Sequence, residues 1–264
     1  MKKPLFTAAL ALAVLGLNSC GKKDDVRAAD QPSEQALTQI RALGFSTHNA
    51  QKTEDGYLVE GDIVLTEADL GSTPLHQLLR VGNAEQYRTN NLVSAGPGRV
   101  IRVSISSRLP TAYVAGLDEA IRRYNAENLL ITFQRVSSGA DIDIVKGNGS
   151  FLASAGFPTS AGAPYGQVKV NSQAIGASPS ANYLGTILAH EIGHCIGFRH
   201  TDFMDRSYSC GGATANEGAS TVGAIHIPGT PTTAEPNSWM LACIGAGQSR
   251  PFDSHDKTAL NYLY

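Results

Sequence analysis

The sequence predicts an α+β fold, a sheet with covering helices, and three observations carry that expectation. Ile101, Val103 and Ile105 alternate with Arg102 and Ser104, the period of a half-buried strand. Tyr113, Leu117, Ala120, Ile121 and Tyr124 share one face of a helix that Pro110-Thr111 opens. Strand patterns then follow at Leu129/Ile131/Phe133, at Ile142/Ile144 and, shorter, at Val168/Val170, before a second helix over about 183–196. Strand, helix, strand, strand, short strand, helix is the order of a sheet with helices packed on it.

At the N-terminus, Met1-Lys2-Lys3 precedes the apolar run PLFTAALALAVLGLNS, which is too short to span a bilayer and has the length of a signal-peptide core. Residues 1–19 therefore read as a targeting segment. The run ends in LNSC, with Leu17 three positions before Cys20 and Ser19 directly before it, and this resembles the lipobox of bacterial lipoproteins. The resemblance implies cleavage before Cys20 and acylation of its thiol, so that a lipid bilayer is a partner. Gly21, in place of the aspartate that holds many such proteins at the inner membrane, implies an outer-membrane or cell-surface destination. The charged cluster Lys22 to Asp25 fits a surface tether over 20–30 and equally a solvated linker.

Residues 31–95 read as a small pro-region. Ala36, Ile40 and Leu43 have helical spacing, the polar STHNAQKTEDG follows, and YLVEGDIVLTEADL is strand-like. The turn-rich SAGPGR, Ser94 to Arg99, marks the break before a domain over 96–264. Net charge is -2 with both signs scattered, so no basic stripe points to nucleic acid, and a monomer is expected. Besides Cys20 there are Cys195, Cys210 and Cys243, which an oxidising compartment allows to form one disulfide; the spacing does not fix which pair.

The chemistry concentrates in LAHEIGHCIGFRHTD, Leu188 to Asp202, where His190, His194 and His200 surround Glu191. Histidines four apart on a helix project from one face and can bind one metal ion. Gly197 can take the left-handed conformation that ends the helix and turns the chain back, bringing in His200 as third ligand. Three imidazoles suit Zn²⁺ and leave a fourth position for water, whose pKa zinc lowers from about 16 toward about 7. Glu191 is then placed as general base and acid for amide hydrolysis rather than as a ligand. Cys195 sits about 100° round the helix from His194 and reads as a small buried residue.

The full H-E-x-x-H-x-x-G-x-x-H pattern resembles the metzincin zinc signature, and HEIGHCIGFRHTD resembles the dual-action HEIGH metallopeptidases over about residues 44–264. That resemblance implies a metzincin-like zinc-protease catalytic domain, with Met240 in PNSWMLAC as the methionine turn beneath the metal. The C-terminal PFDSHDKTALNYLY resembles the last helix of such domains, with Ser254 as cap and Leu260, Leu263 and Tyr264 packing inward. VEGDIVL resembles the F-x-G-D pro-segment motif of astacin-like enzymes, with Val59 replacing the phenylalanine, which makes Asp62 a candidate latency switch in the open zinc position. Two departures stand out. Thr201 matches none of the residues that label the best-known metzincin branches, and Ala242 stands where astacin-like and serralysin-like enzymes carry a zinc-binding tyrosine, so oxyanion stabilisation falls to other groups. The expected disulfide is Cys210 to Cys243, with Cys195 unpaired.

The expectation is a secreted, lipid-anchored zinc metalloendopeptidase acting on protein or peptide substrates and released if the pro-region is cut away. The alternatives are a zinc hydrolase of cell-wall peptide amides and a surface binding lipoprotein with an inactive metal site. The loop Ala224 to Ser238 is a candidate cleft wall, with His226 as a polar loop residue or a substrate contact.

Overall fold

The computed structural model describes residues 31–43, 45–71, 86–214, 216, 223–231 and 234–264; the targeting run, the tether and Cys20 lie outside them. In chain order the elements are α1 Glu34–Ala42, β1 Gln51–Thr53, β2 Gly56–Val59, β3 Ile63–Leu65, α2 Glu67–Leu70, β4 Tyr87–Arg88, β5 Arg99–Ile105 and α3 Ala112–Asn125. Then come β6 Ile131–Arg135, β7 Ile142–Lys146, β8 Ala153–Ser154, β9 Gln167–Val170, α4 Ser172–Ile175, α5 Ala181–Ile196, α6 Ser207–Cys210, β10 Ile225–His226 and α7 Ser254–Leu263. No helix among the described residues is long and apolar enough to cross a membrane.

The main sheet runs in the order β6-β5-β7-β9-β8, with β8 alone antiparallel to its neighbour. Ile101, Val103, Ile131, Phe133, Ile142, Ile144, Val168 and Val170 all turn into the core, so the alternation in the sequence is the alternation of the pleat. Helices α3 and α5 pack on this sheet and on each other. Every residue of α5 from Tyr183 to Ile196 is buried, because the sheet and α3 cover part of its surface and the segment around Met240 another part. Arg123, itself buried, ties the helix pair together: it meets Glu119 at 2.8 Å, the Thr186 hydroxyl at 2.9 Å and the Asn182 carbonyl at 3.0 Å.

Two local readings of the sequence need correction. The stretch 57–70 is not one strand: Glu60 and Gly61 both take positive φ, 56° and 96°, and fold it into the β2–β3 hairpin, after which a Thr66–Asp69 capping box starts α2. Val59 pairs with Ile63, so Glu60, Gly61 and Asp62 form the tip. At the C-terminus the cap of α7 is Asp253 rather than Ser254, because a carboxylate here accepts from the amides of His255 and Asp256 and forms a reciprocal box with Asp256.

The hairpin is joined to the main sheet at its edge. Val64 N–H donates to Ala155 O at 2.7 Å, and Ala155 N–H to Asp62 O at 2.9 Å. Contacts also cross the break expected at 94–99. Thr89 N–H donates to Gly197 O at 2.8 Å, Arg199 N–H to Tyr87 O at 2.9 Å, and β4 pairs with β10.

Gly116 lies where α3 crosses α5, and a Cβ there would overlap the Leu184 side chain. Gly116→Ala is therefore expected to destabilise the fold by about 1–3 kcal/mol despite alanine's better helix propensity. A urea titration reads this, and an unchanged or raised midpoint would show that the helices separate without strain.

Candidate metal centre

Ser180 caps α5, its hydroxyl accepting from Tyr183 N–H at 3.3 Å. Gly197 ends the helix in the left-handed conformation (φ 112°, ψ 12°), and the closing bonds run from Gly197 N–H to His194 O and from Phe198 N–H to Gly193 O, both 2.9 Å. This reversal lays His200 against the two helical histidines, with ring centroids 5.3 Å from His190 and 4.9 Å from His194.

Hydrogen bonds to the backbone fix the imidazole tautomers. His190 Nδ1 lies 2.9 Å from Trp239 O, and His194 Nδ1 lies 2.9 Å from Phe198 O. A carbonyl only accepts, so each Nδ1 carries the proton and each Nε2 of a neutral ring is left with a lone pair. Those two Nε2 atoms face one another at 3.1 Å. Burial, followed by the neighbouring rings of His190 and His200, holds His194 well below the usual imidazole range, so it stays neutral. Two lone pairs at that distance call for a cation between them.

Asp62 completes the cluster. Its Oδ2 lies 3.2 Å from His200 Nε2 and 3.5 Å from His190 Nε2, and the four ligand atoms of Asp62, His190, His194 and His200 all lie within 4.8 Å of one another. A tetrahedral ion with bonds of about 2.0–2.1 Å has edges of about 3.3 Å, which the separations of 3.1, 3.2 and 3.5 Å bracket. The donor set therefore fits zinc. Burial works to raise the Asp62 pKa, yet His200, His190 and His194 together outweigh it and hold the carboxyl well below its usual range.

Glu191 lies beside this cluster, buried, with Oε2 lacking any hydrogen-bond partner among the described residues. Burial pushes its carboxyl well above the ordinary range, Asp62 adding to the effect and His200 opposing it. Cys195 is fully buried and burial pushes its thiol up, so it offers no thiolate to a metal. Cys210 and Cys243 form a disulfide.

Met240 packs under α5: a Cβ added to Gly193 would stand 2.6 Å from Met240 Sδ and 3.2 Å from Trp239 Nε1. The glycine between the two helical histidines is thus what lets the methionine approach. Asp202 accepts from Ala242 N–H at 2.9 Å, and Thr201 N–H donates to Met240 O at 3.0 Å, fastening this segment to the third histidine's own loop.

Several supporting residues escape the motif. Glu60 and Arg199 form a buried ion pair at 3.1 Å, and the Arg199 guanidinium lies 4.6 Å from the Phe45 ring and 5.5 Å from that of Phe203. Asp256 accepts from Gln86 Nε2 at 2.5 Å and from Trp239 N–H at 3.1 Å, holding the backbone that orients His190. The D-x-x-D of a capping box was the available signal for Asp256; nothing local marks Gln86 or Glu60 as its counterpart or as a partner of Arg199. No described residue of 224–238 lines the cavity beside the cluster, and His226 instead meets the Thr230 hydroxyl at 3.0 Å on β10.

Burial, then the charge of Asp253, push Asp256 up to about 7. The folded value lies above the unfolded one near 3.9, so the native state binds this proton more tightly, and the contribution of Asp256 to stability is fully present below about pH 4 and is lost as pH rises toward 7. The difference in unfolding free energy between wild type and Asp256→Asn should shrink by up to about 4 kcal/mol across that window. Denaturant titrations at several pH values measure it, and a pH-independent difference would rule out the raised value.

A family model described as dual-action HEIGH metallo-peptidase matches residues 57–264. No curated protein sequence matches the chain. Among solved structures, a structure of myroilysin is 20% identical over 43% of this chain (TM-score 0.34), and the chain spans about half, 54%, of its length. High choriolytic enzyme 1, a hatching enzyme zinc-protease from the medaka fish Oryzias latipes, is 18% identical over 62% of this chain and 88% of its own (TM-score 0.36). A crystal structure of myroilysin is 15% identical over 71% and 96% (TM-score 0.36).

Proposed function

Because the chain belongs to the dual-action HEIGH metallo-peptidase family, we propose that this zinc metallopeptidase is a secreted, lipid-anchored endopeptidase held latent by its own β2–β3 hairpin. The observation that carries the reading is the convergence of three imidazoles and the Asp62 carboxylate on one point beside Glu191. His190, His194 and His200 would hold the zinc, and Met240 packs against Gly193 between the two helical histidines. Zinc bound there supplies a coordination position at which a water becomes acidic enough to react near neutral pH. Asp62 would fill that position in the latent chain.

Glu191 takes the proton of the attacking water on Oε2, the oxygen without a protein partner, and passes it to the departing amine. Ala242 brings no hydroxyl to the carbonyl oxygen of the scissile bond, so stabilising its developing charge would fall to other groups. The hairpin is joined to the sheet edge at Ala155, where main-chain donors and acceptors would otherwise be open to an extended peptide. Acylation of Cys20 anchors the latent chain at the outer membrane or cell surface, and a cut after Asp62 and before Gln86 removes latch and anchor together while sparing the Gln86–Asp256 bond.

Casein cleavage by the chain from Gly21 onward, with zinc content measured, tests the chemistry. About one zinc per chain is expected in wild type and in Glu191→Ala, with activity at least about 100-fold lower in the variant. Asp62→Ala should cut casein before any self-cleavage product appears in mass spectra. Zinc-loaded wild type and Asp62→Ala that both leave casein intact would overturn the reading. For the anchor, metabolic labelling with a radioactive fatty acid should mark wild type and spare Cys20→Ser; equal labelling would place the lipid elsewhere or nowhere.

A further inference from the structure

A cavity of about 230 Å³ opens beside His190 and Glu191, room for one amino-acid side chain. Leu152, Ile187, Trp239 and Leu241 give it apolar walls, and Arg250 stands among them. The backbone of Arg250 is fixed on both sides: its N–H donates to Thr186 Oγ1 at 2.9 Å and its carbonyl accepts from Arg123 Nη1 at 3.3 Å. Its guanidinium is poorly served by comparison. One hydrogen bond, to Cys243 O at 3.3 Å, is its share, and no carboxylate lies within ion-pair distance among the described residues.

The carboxylates whose charge reaches it are engaged elsewhere. Asp202 accepts from Ala242 N–H and Ser209 Oγ, and Asp256 from Gln86 Nε2, Trp239 N–H and Asp253 N–H. Of the carboxylates on the cavity wall, Glu60 is paired with Arg199 and Asp62 with the histidines, and Glu191 makes no ion pair with Arg250. Burial without a counter-ion lowers the Arg250 pKa from the ordinary arginine value. An arginine has five N–H donors in a planar fork that matches a carboxylate, and a cation half withdrawn from water gains most when one arrives.

We propose that this cavity receives one substrate side chain and that Arg250 makes it select an acidic residue, glutamate ahead of aspartate. The apolar walls suit the two methylenes of glutamate, and its carboxylate reaches the guanidinium. An uncharged side chain would strip water from Arg250 and return nothing, and lysine would be repelled; discrimination of this kind rests on the group left unpaired by the wrong substrate. The inference rests on the peptidase reading above and names the substrate class of that same site.

The test uses the zinc-loaded chain from Gly21 carrying Asp62→Ala. A peptide library cut by this protein and read by mass spectrometry should show glutamate enriched at one position next to the cut. Matched peptides with Glu, Gln or Lys at that position should then give kcat/KM ratios of about 10–100 for Glu over Gln. Arg250→Gln should bring that ratio near one. Arg250→Glu should invert the preference in favour of Lys, a gain that a misfolded protein does not give. Cleavage with no acidic preference, or a preference that neither substitution moves, overturns the inference and leaves the peptidase reading standing. Failure to cut any peptide overturns both.

Discussion

The carbonyl oxygens of Trp239 and Phe198 determine what the histidine cluster can be. By accepting from Nδ1 of His190 and His194 they place both protons on the far side of the rings and leave two Nε2 lone pairs 3.1 Å apart. Without a cation, that arrangement is repulsive and buried; with one, it is a pair of ligands already oriented. Each carbonyl is in turn fixed by the fold. Phe198 follows the left-handed Gly197 that ends α5, and Trp239 precedes the methionine packed against Gly193. On the proposed reading, helix ending and methionine packing are therefore parts of the metal chemistry, because they hold the atoms that set the tautomers.

Rigidity beneath the cluster comes from residues far apart in the chain. Gln86 and Asp256 are 170 residues apart and meet at 2.5 Å, and Ser238 joins them through Gln86 Nε2 at 3.0 Å. The Cys210–Cys243 disulfide closes a loop of 33 residues, which the chain-entropy model values at roughly 3–4 kcal/mol. It fixes the segment after His200 to the one after Met240. Asp202 and Ser209 reinforce the same junction by accepting from Ala242 and Cys243 amides.

What the sequence made legible follows from range. The spacing of His190, His194, Gly197 and His200 is a local rule of helix geometry, so their convergence could be read directly, as could the strands whose apolar residues alternate over five to seven positions. The hairpin was hidden because Glu60, a residue that rarely takes positive φ, sits at its turn and continues what looks like one strand. Serine is a good cap, so the sequence favours Ser254, while Asp253 beside it has a reciprocal partner in Asp256. Arg199 reads as an unremarkable variable position inside the motif; its partners Glu60 and Phe45 lie more than a hundred residues upstream, and no periodicity connects them.

Those partners explain how a three-residue tip can be held against the histidines. Asp62 alone would lose rotamer and backbone entropy to sit on the histidines, for a contact that a solvated carboxylate only partly repays. The tip is instead located by two independent holds: the main-chain bonds of Asp62 and Val64 to Ala155, and the buried Glu60–Arg199 pair two residues before the carboxylate. Removing one member of such a pair is destabilising by about 3–5 kcal/mol, because the other charge stays buried. On the proposed reading, part of what holds Asp62 over the metal is thus stored one residue away from a metal ligand, in Arg199, so the motif that would bind the ion also carries the anchor for the segment that would cover it. On the proposed reading, withdrawal of that segment changes a closed set of three nitrogens and one oxygen into three nitrogens with an open position, and the same step takes Glu60 away from Arg199.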